Sequence, residues 1–146
     1  MERGETVKER PILFICENVR KILDGLKWET RRVIKPQPSW TKEIVQAAPE
    51  EAISLCPFGQ VGDRLWVRER WCDPEGDRRP VYWADLSKDE WREHDAVMRL
   101  TKKQKGAAYV PWCPSIHMPR WASRLTLEIT AIRVERVQEI SDEDAK

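Results

Sequence analysis

The stretch RLWVRERW, residues 64–71, decides the fold class, because its side chains alternate between apolar and polar types as they do in a β-strand. One face carries Leu65, Val67, Glu69 and Trp71, and the other carries Trp66, Arg68 and Arg70. Glu69 thus lies on the apolar face, where a carboxylate needs a cationic or hydrogen-bonding partner. It is either half of a structural ion pair or a carboxylate of a functional site. The preceding GQVGD, residues 59–63, is typical of a turn.

Upstream of this strand the sequence predicts a strand and two helical segments. PILFI (11–15) indicates a short strand, and CENVRKILDG (16–25) indicates a short helix that ends at Gly25. The apolar residues that share one face of this helix are Val19, Ile22 and Leu23. PEEAIS (49–54) indicates one further helical turn.

Downstream of this strand the elements are again short. VYWAD (81–85) indicates a strand, and Ser87 with Glu90 has the spacing of a capping box, which predicts a surface helix. TKKQKGA (101–107) is a basic loop, whose charges serve solvation or contact phosphate. ISDEDAK (140–146) has the signature of a helix start, so we expect the chain to be cut as a helix begins.

The longest strand signal is ASRLTLEITAIRVERVQEI, residues 122–140. Leu125, Leu127 and Ile129 share a face, after which the apolar phase shifts to Ile132 and Val134. Such a shift requires a bulge or a sharp bend, and bulges are what small barrels need to close. The 146 residues are therefore predicted to form one α+β domain, built on a small mixed-strand β-barrel with flanking short helices.

Two short segments concentrate polar and aromatic side chains. The first is GLKWETRR (25–32), which contains Lys27, Thr30, Arg31 and Arg32 and is either a solvated turn or a site. The second is WCPSIHMPRWASR (112–124), a proline-stiffened loop that contains Ser115, His117, Arg120 and Trp121. Ser115 and His117 are two residues apart, but no third orienting group is evident for a serine hydrolase. We predict that residues 25–32 and 115–121 line one pocket.

The composition limits the possible functions. A net charge of +1 gives no overall attraction to nucleic acid, so any nucleic-acid surface must be a local patch. No apolar stretch reaches the length of a membrane span and no signal peptide precedes the domain, and the four cysteines form no C-x-x-C pair, so free thiols in the cytoplasm are expected. With two histidines in the chain, the spacing of Cys113 and His117 does not predict a metal site, and no cofactor is predicted.

Three segments together resemble the ASCH-domain family, in its phage and prophage branch: RPILFICENVRKILDGLKWETRRVIKPQP, GQVGDRLWVRERW and PSIHMPRWASRLTLEITAIRVERVQEISDEDA. ASCH domains are relatives of PUA domains. The resemblance implies a PUA-like β-barrel with flanking helices, and a cleft that takes RNA or a modified nucleoside. Residues 39–55 and 73–110 lie outside it.

The resemblance also implies residue roles. One bacterial branch of the family hydrolyses N(4)-acetylcytidine with a K-x-x-T lysine and threonine, which match Lys27 and Thr30, while the following arginine matches Arg32. A threonine hydroxyl needs a base, and a lysine can serve as that base if its pKa is lowered, or can stabilise an oxyanion if it stays charged. That branch also needs a glutamate, at a position just past Lys146. We therefore expect little amidase activity unless Glu69 or another carboxylate substitutes.

Three functions remain open from the sequence. The first is binding of RNA or a modified nucleoside in a basic cleft formed by Lys27, Arg31, Arg32, Arg120 and nearby tryptophans. The second is hydrolysis of an acylated cytidine, or cleavage of RNA. The third is a phage assembly or interaction factor that only reuses the fold, which a large exposed apolar patch would indicate.

Overall fold

The structure, a computed structural model, describes residues 7–34, 49–54, 56–73, 76–87, 89–90, 92–93 and 112–135. The strands in these ranges are β1 (Glu9–Leu13), β2 (Arg64–Arg68), β3 (Trp71–Cys72), β4 (Val81–Tyr82) and β5 (Thr126–Glu128). The α-helices are α1 (Cys16–Leu23) and α2 (Pro49–Ser54). Single 3-10 turns cover Trp83–Asp85, Ser115–His117 and Arg120–Ala122.

The strands form two small sheets. The first has the strand order β1-β2-β5, and the second is the antiparallel pair β3-β4, in which Trp71 lies opposite Tyr82. The fold is therefore of the α+β class with short helices, as predicted, and the described ranges contain no closed barrel.

The chain divides into two compact units, each of which is described by itself. The first unit comprises Met1–Arg10, Arg31–Leu65 and Thr126–Lys146. The second comprises Pro11–Thr30 and Trp66–Leu125, and it contains the pocket, the aromatic contacts and the cluster of Glu69, Arg124 and Asp85 described below.

The alternation predicted for residues 64–71 is present. Leu65, Val67, Glu69 and Trp71 are all buried, whereas Trp66, Arg68 and Arg70 are half-buried. The prediction of one continuous strand was wrong, because β2 ends at Arg68 and β3 begins at Trp71. The break marks a change of pairing: β2 lies between β1 and β5, while Trp71 pairs with Tyr82 of β4 and with Cys113.

The first strand begins two residues earlier than predicted, whereas the helix that follows it begins at the predicted residue. The strand is Glu9–Leu13 instead of residues 11–15, and Ile15 becomes the N-cap of α1. After α1, Gly25 has a φ of 69°, and the Leu26 N–H donates to the Lys21 carbonyl, as expected of a glycine that ends a helix. Of the predicted helix face only Val19 is buried, whereas Leu23 is exposed.

Residues 81–87 also depart in part from the sequence prediction. The strand stops at Tyr82, and Trp83–Asp85 forms a 3-10 turn whose first N–H donates to the Arg70 carbonyl at 2.9 Å. The capping box is confirmed, because the Ser87 N–H donates to the Glu90 carboxylate and the Glu90 N–H donates to the Ser87 hydroxyl. Residues 89–90 and 92–93 are helical.

The long strand predicted for residues 122–140 was wrong in length, since Thr126–Glu128 is the only strand within residues 122–135, the part of this segment that the structure describes. The predicted phase shift is present: Leu125, Leu127 and Ile129 are half-buried, Thr130 and Ala131 are both exposed, and Ile132 and Val134 are half-buried again. The ladder to the loop at residues 59–63 ends at Ile129, which exchanges backbone hydrogen bonds with Gly62 and Asp63. Because Thr130 and Ala131 are both exposed, the alternation shifts by one residue, and the half-buried side chains beyond them are at even-numbered positions.

The turn at residues 59–63 is confirmed and depends on its last residue. Asp63 accepts hydrogen bonds from the backbone N–H groups of Gln60 and Lys8. These two bonds hold the pKa of the Asp63 carboxyl below its usual value. Gly59 and Gly62 have φ of 124° and 91°, in the region that favours glycine.

The remaining predictions concern thiols, membrane spans and segments that the structure does not describe. Cys16, Cys56, Cys72 and Cys113 are free, as expected. Within the described ranges, no helix has the length and apolar character that a membrane crossing requires. The predictions for residues 101–107 and 140–146 fall outside the described residues.

Candidate functional site

A pocket of about 380 Å³ lies in the second unit. Its described walls come from the start of α1, the residues after β2 and the proline-rich loop, and consist of Phe14, Ile15, Cys16, Arg70, Trp112, Pro114 and Ser115. The volume is within the range of small-molecule sites, roughly 300–1,000 Å³. Most of these side chains are apolar or aromatic, so a ligand would be held by surface contact with few polar groups to orient it.

Arg70 is the charged residue among these walls, and an aromatic ring fixes its position. Its guanidinium lies 3.9 Å from the centroid of the Trp83 ring. Trp83 in turn packs edge-to-face against Trp112, with ring centroids 4.9 Å apart. No hydrogen bond or ion pair joins this guanidinium to another of the described residues. Among the described residues, therefore, none occupies the N–H groups of Arg70, and these groups can bind a ligand.

Cys16 contributes a thiol to the pocket, but not a nucleophile. Burial raises the pKa of the Cys16 thiol, while the charge of Arg70 acts in the opposite direction. A raised pKa leaves the thiol protonated at neutral pH, and the thiolate is the reactive form. The start of α1 has no side-chain cap, and Glu17 lies in its first turn, where its charge offsets the helix dipole. Because the Cys16 thiol is neutral, Arg70 is the charged side chain among the described walls of the pocket.

Glu69 has the cationic partner that its position required. Arg124 binds it with two hydrogen bonds, of 2.9 Å from Nε and 3.0 Å from Nη2. The Nη1 group of Arg124 binds Asp85 at 2.8 Å, and its guanidinium lies 4.0 Å from the Tyr82 ring centroid. Burial raises the pKa of the Glu69 carboxyl, and the Arg124 bonds counteract this. The arrangement is the structural ion pair that the sequence left as one of two alternatives.

Arginine side chains also surround two tryptophans outside the pocket. Arg68 and Arg120 lie 5.1 and 5.9 Å from the Trp66 ring centroid, within the range of cation–π contacts. Arg78 lies 5.6 Å from the ring of Trp121, which is 45% exposed. Alternating cations and rings of this kind are typical of surfaces that bind single-stranded nucleic acid.

The predicted residues of the proline-rich loop occupy two turns. Ser115 lies in the pocket wall, whereas His117 is exposed and its backbone N–H donates to the Pro114 carbonyl. Arg120 and Trp121 are exposed and form the cation–π contacts described above. Each turn follows a proline, as the expected stiff loop requires.

The predicted residues 25–32 do not line this pocket. Lys27 is half-buried, with its N–H bonded to the Lys21 carbonyl, and Thr30 is exposed. Arg31 and Arg32 fall in the first unit, where Arg31 lies 4.0 Å from the Glu135 carboxylate and Arg32 donates to the Arg31 carbonyl. Their assigned roles in catalysis or binding stay predictions.

Of the pocket residues, the sequence named Ser115 as a site residue and singled out the segment 112–124 that contains Trp112 and Pro114, but it missed Phe14, Ile15, Cys16 and Arg70. A signal for Arg70 was present, because the alternation of residues 64–71 places it with Trp66 and Arg68 on the face away from the core. The other three residues come together only through the fold.

The described residues contain no group of three or more histidine, cysteine or acidic residues that could hold a metal ion. No protein-family model matches this chain, and neither a curated protein nor a solved structure is significantly similar to it.

Proposed function

We propose that this protein binds RNA or a modified nucleoside, and that it is a PUA-like ASCH domain of the phage and prophage type. The observation that carries the proposal is the pocket, in which one arginine with open N–H groups lies beside aromatic and apolar walls. A nucleotide has the matching chemistry, since its base offers a flat face and its backbone offers an anion.

The surroundings of the pocket support a ligand longer than one nucleoside. Trp66 and Arg68 lie on the outer face of β2, about 6.6 Å apart along the strand, and the half-buried Arg70 follows two residues after the strand ends. Arg120 lies beside the same Trp66 ring. A single strand that enters the pocket at Arg70 would meet further rings and cations in this direction.

Hydrolysis of an acylated cytidine is the alternative that the resemblance raised, with Lys27, Thr30 and Glu69 as its residues. Both oxygens of Glu69 are bound by Arg124, and the carboxylate is 1% exposed, so a substrate would have to displace Arg124 to use it. Binding is therefore the function that we place first.

A ligand screen separates these functions. Thermal unfolding is measured with cytidine, N(4)-acetylcytidine, other nucleosides and short single-stranded RNA, and product chromatography follows each incubation. Binding at a hundredfold excess over Kd stabilises the fold by about 2.7 kcal/mol, which raises Tm measurably. We expect RNA or a nucleoside to raise Tm without product. Release of cytidine that is lost in Lys27→Ala and Thr30→Ala would place hydrolysis first, and no stabilisation by any ligand would favour an interaction factor.

A further inference from the structure

The guanidinium of Arg70 presents a fixed set of donors to the pocket. An arginine carries five N–H groups in one plane, and this geometry matches two oxygens of a phosphate or carboxylate at once. The guanidinium already rests over the Trp83 ring, 3.9 Å from its centroid, so part of its freedom is lost before an anion binds. Within the described part of the chain, no carboxylate occupies those N–H groups.

The remaining described walls favour an anion that is attached to a flat group. They contain no acidic residue, so an anion at Arg70 meets no repulsion from the walls themselves. Ser115 adds a hydroxyl donor, and the exposed Ile15 and Pro114 offer apolar surface, whereas Phe14 and Trp112 are only 5% and 8% exposed. In contrast, a neutral ligand would leave the Arg70 donors with only water as a partner.

We infer that this pocket recognises a nucleotide through its phosphate group, which Arg70 binds, while the base packs against the exposed apolar wall of Ile15 and Pro114. The inference rests on the proposed function and narrows it: the ligand is a phosphorylated nucleotide, free or at a strand position, and a free nucleoside is a poor one. Hydrogen bonds to a charged group contribute about 1.5–3 kcal/mol. A nucleoside monophosphate should therefore bind at least about tenfold more tightly than its nucleoside.

The test is a calorimetric titration of the full chain with cytidine, cytidine 5′-monophosphate, cytidine 3′-monophosphate, inorganic phosphate and benzoate. Each ligand is titrated into the wild type, Arg70→Gln, Arg70→Lys and a control, Arg92→Gln. Arg92 is 84% exposed and lies outside the pocket walls, and its replacement removes the same charge. The readout is the ratio of monophosphate to nucleoside affinity within each variant, which a general loss of stability does not change.

We expect the wild type and Arg92→Gln to prefer a monophosphate by about tenfold or more. Arg70→Gln should bind both forms equally, and Arg70→Lys should retain part of the preference, because it keeps the charge without the planar donors. Equal affinity for nucleoside and monophosphate in the wild type, or an unchanged preference in Arg70→Gln, would overturn the inference and leave the proposed function standing. If benzoate binds as tightly as the monophosphate, the inference of a nucleotide ligand is overturned in favour of an aromatic acid. No binding of nucleoside or nucleotide in this titration, together with no stabilisation by RNA in the ligand screen above, would overturn both.

Discussion

Arg124 connects two carboxylates that differ strongly in burial. Glu69 is 1% exposed, whereas the Asp85 side chain is 48% exposed, and one guanidinium bonds to both. A buried carboxylate depends on its cation far more than an exposed one does, because water cannot replace the lost partner. The cluster should therefore contribute to stability mainly through the Glu69 side.

Three substitutions test this asymmetry by urea unfolding. Arg124→Met leaves the Glu69 charge buried without a cation and should lower the free energy of unfolding by about 3–5 kcal/mol. Glu69→Gln keeps the shape and leaves Arg124 paired with Asp85, so about 1–3 kcal/mol is expected. Asp85→Asn is the matched control on the exposed side and should cost less than about 1 kcal/mol. An equal loss in Asp85→Asn and Arg124→Met would contradict the assignment of Glu69 as the critical partner.

The loss in Arg124→Met should also depend on pH. Burial already raises the pKa of the Glu69 carboxyl, and this variant lacks the bonds that counteract it. A carboxyl with a raised pKa in the folded state binds its proton more tightly there, so stability is greatest below the ordinary glutamate pKa and falls as pH rises through the raised value. The difference between variant and wild type should therefore be smaller at about pH 4 than at about pH 8. A difference that is constant over this range would indicate a packing defect instead.

At the scale of elements, the loop at residues 59–63 contains two glycines that both have a positive φ but differ in the space around the position of a Cβ atom. A Cβ on Gly59 would lie 2.6 Å from the Asp63 Oδ2 atom, whereas a Cβ on Gly62 has no atom within 4 Å. Asp63 cannot move away freely, because its carboxylate holds the N–H groups of Lys8 and Gln60.

Gly59→Ala should therefore destabilise the protein more than Gly62→Ala. Both substitutions strain a left-handed backbone, at about 1–2 kcal/mol each, and only the first also displaces Asp63. Thermal unfolding of the two variants measures the difference directly. Equal shifts in Tm would show that Asp63 adjusts without loss and that its two hydrogen bonds are not limiting.

The elements also show what could be predicted from sequence. The alternation of residues 64–71 correctly placed Glu69 in the core with a cationic partner, because both follow from period and chemistry. It did not predict the break after Arg68, since the change of pairing from β1 and β5 to β4 depends on strands far away in the chain. In the same way, apolar periodicity over residues 122–140 marked the phase shift, but it did not predict that only Thr126–Glu128 would be a strand within the described residues 122–135.

At the scale of the whole molecule, a pocket residue could be predicted where the signal lay within one short segment. Ser115 was predicted as a site residue and lies in the pocket wall, because one segment can encode a stiff loop with polar side chains. The association of that loop with residues 25–32 was an inference across the whole chain, and the walls instead include the start of α1 and Arg70. Which distant segments meet is fixed by tertiary packing, which a single sequence without relatives does not reveal.

The near-neutral net charge of +1 predicts how binding depends on salt. Long-range attraction is weak, so phosphate contacts would be local, and within the described residues the arginines around Trp66 and Trp83 are the candidates for them. Contact with about two to four phosphates of single-stranded RNA gives a slope of about −1.4 to −2.8 for log K against log salt. Titrations at several salt concentrations measure this slope, and a slope near zero would indicate a ligand held without phosphate contacts.

The most direct test of the central claim is the affinity of the wild type, Arg70→Gln and Arg92→Gln for one labelled single-stranded RNA, measured by fluorescence anisotropy at fixed salt. Both variants lose one positive charge, but only Arg70 lies in the pocket wall. We predict that Arg70→Gln binds at least about tenfold more weakly, while Arg92→Gln stays within about twofold of the wild type. Equal affinity of all three proteins for the RNA would contradict the claim that this pocket binds nucleic acid.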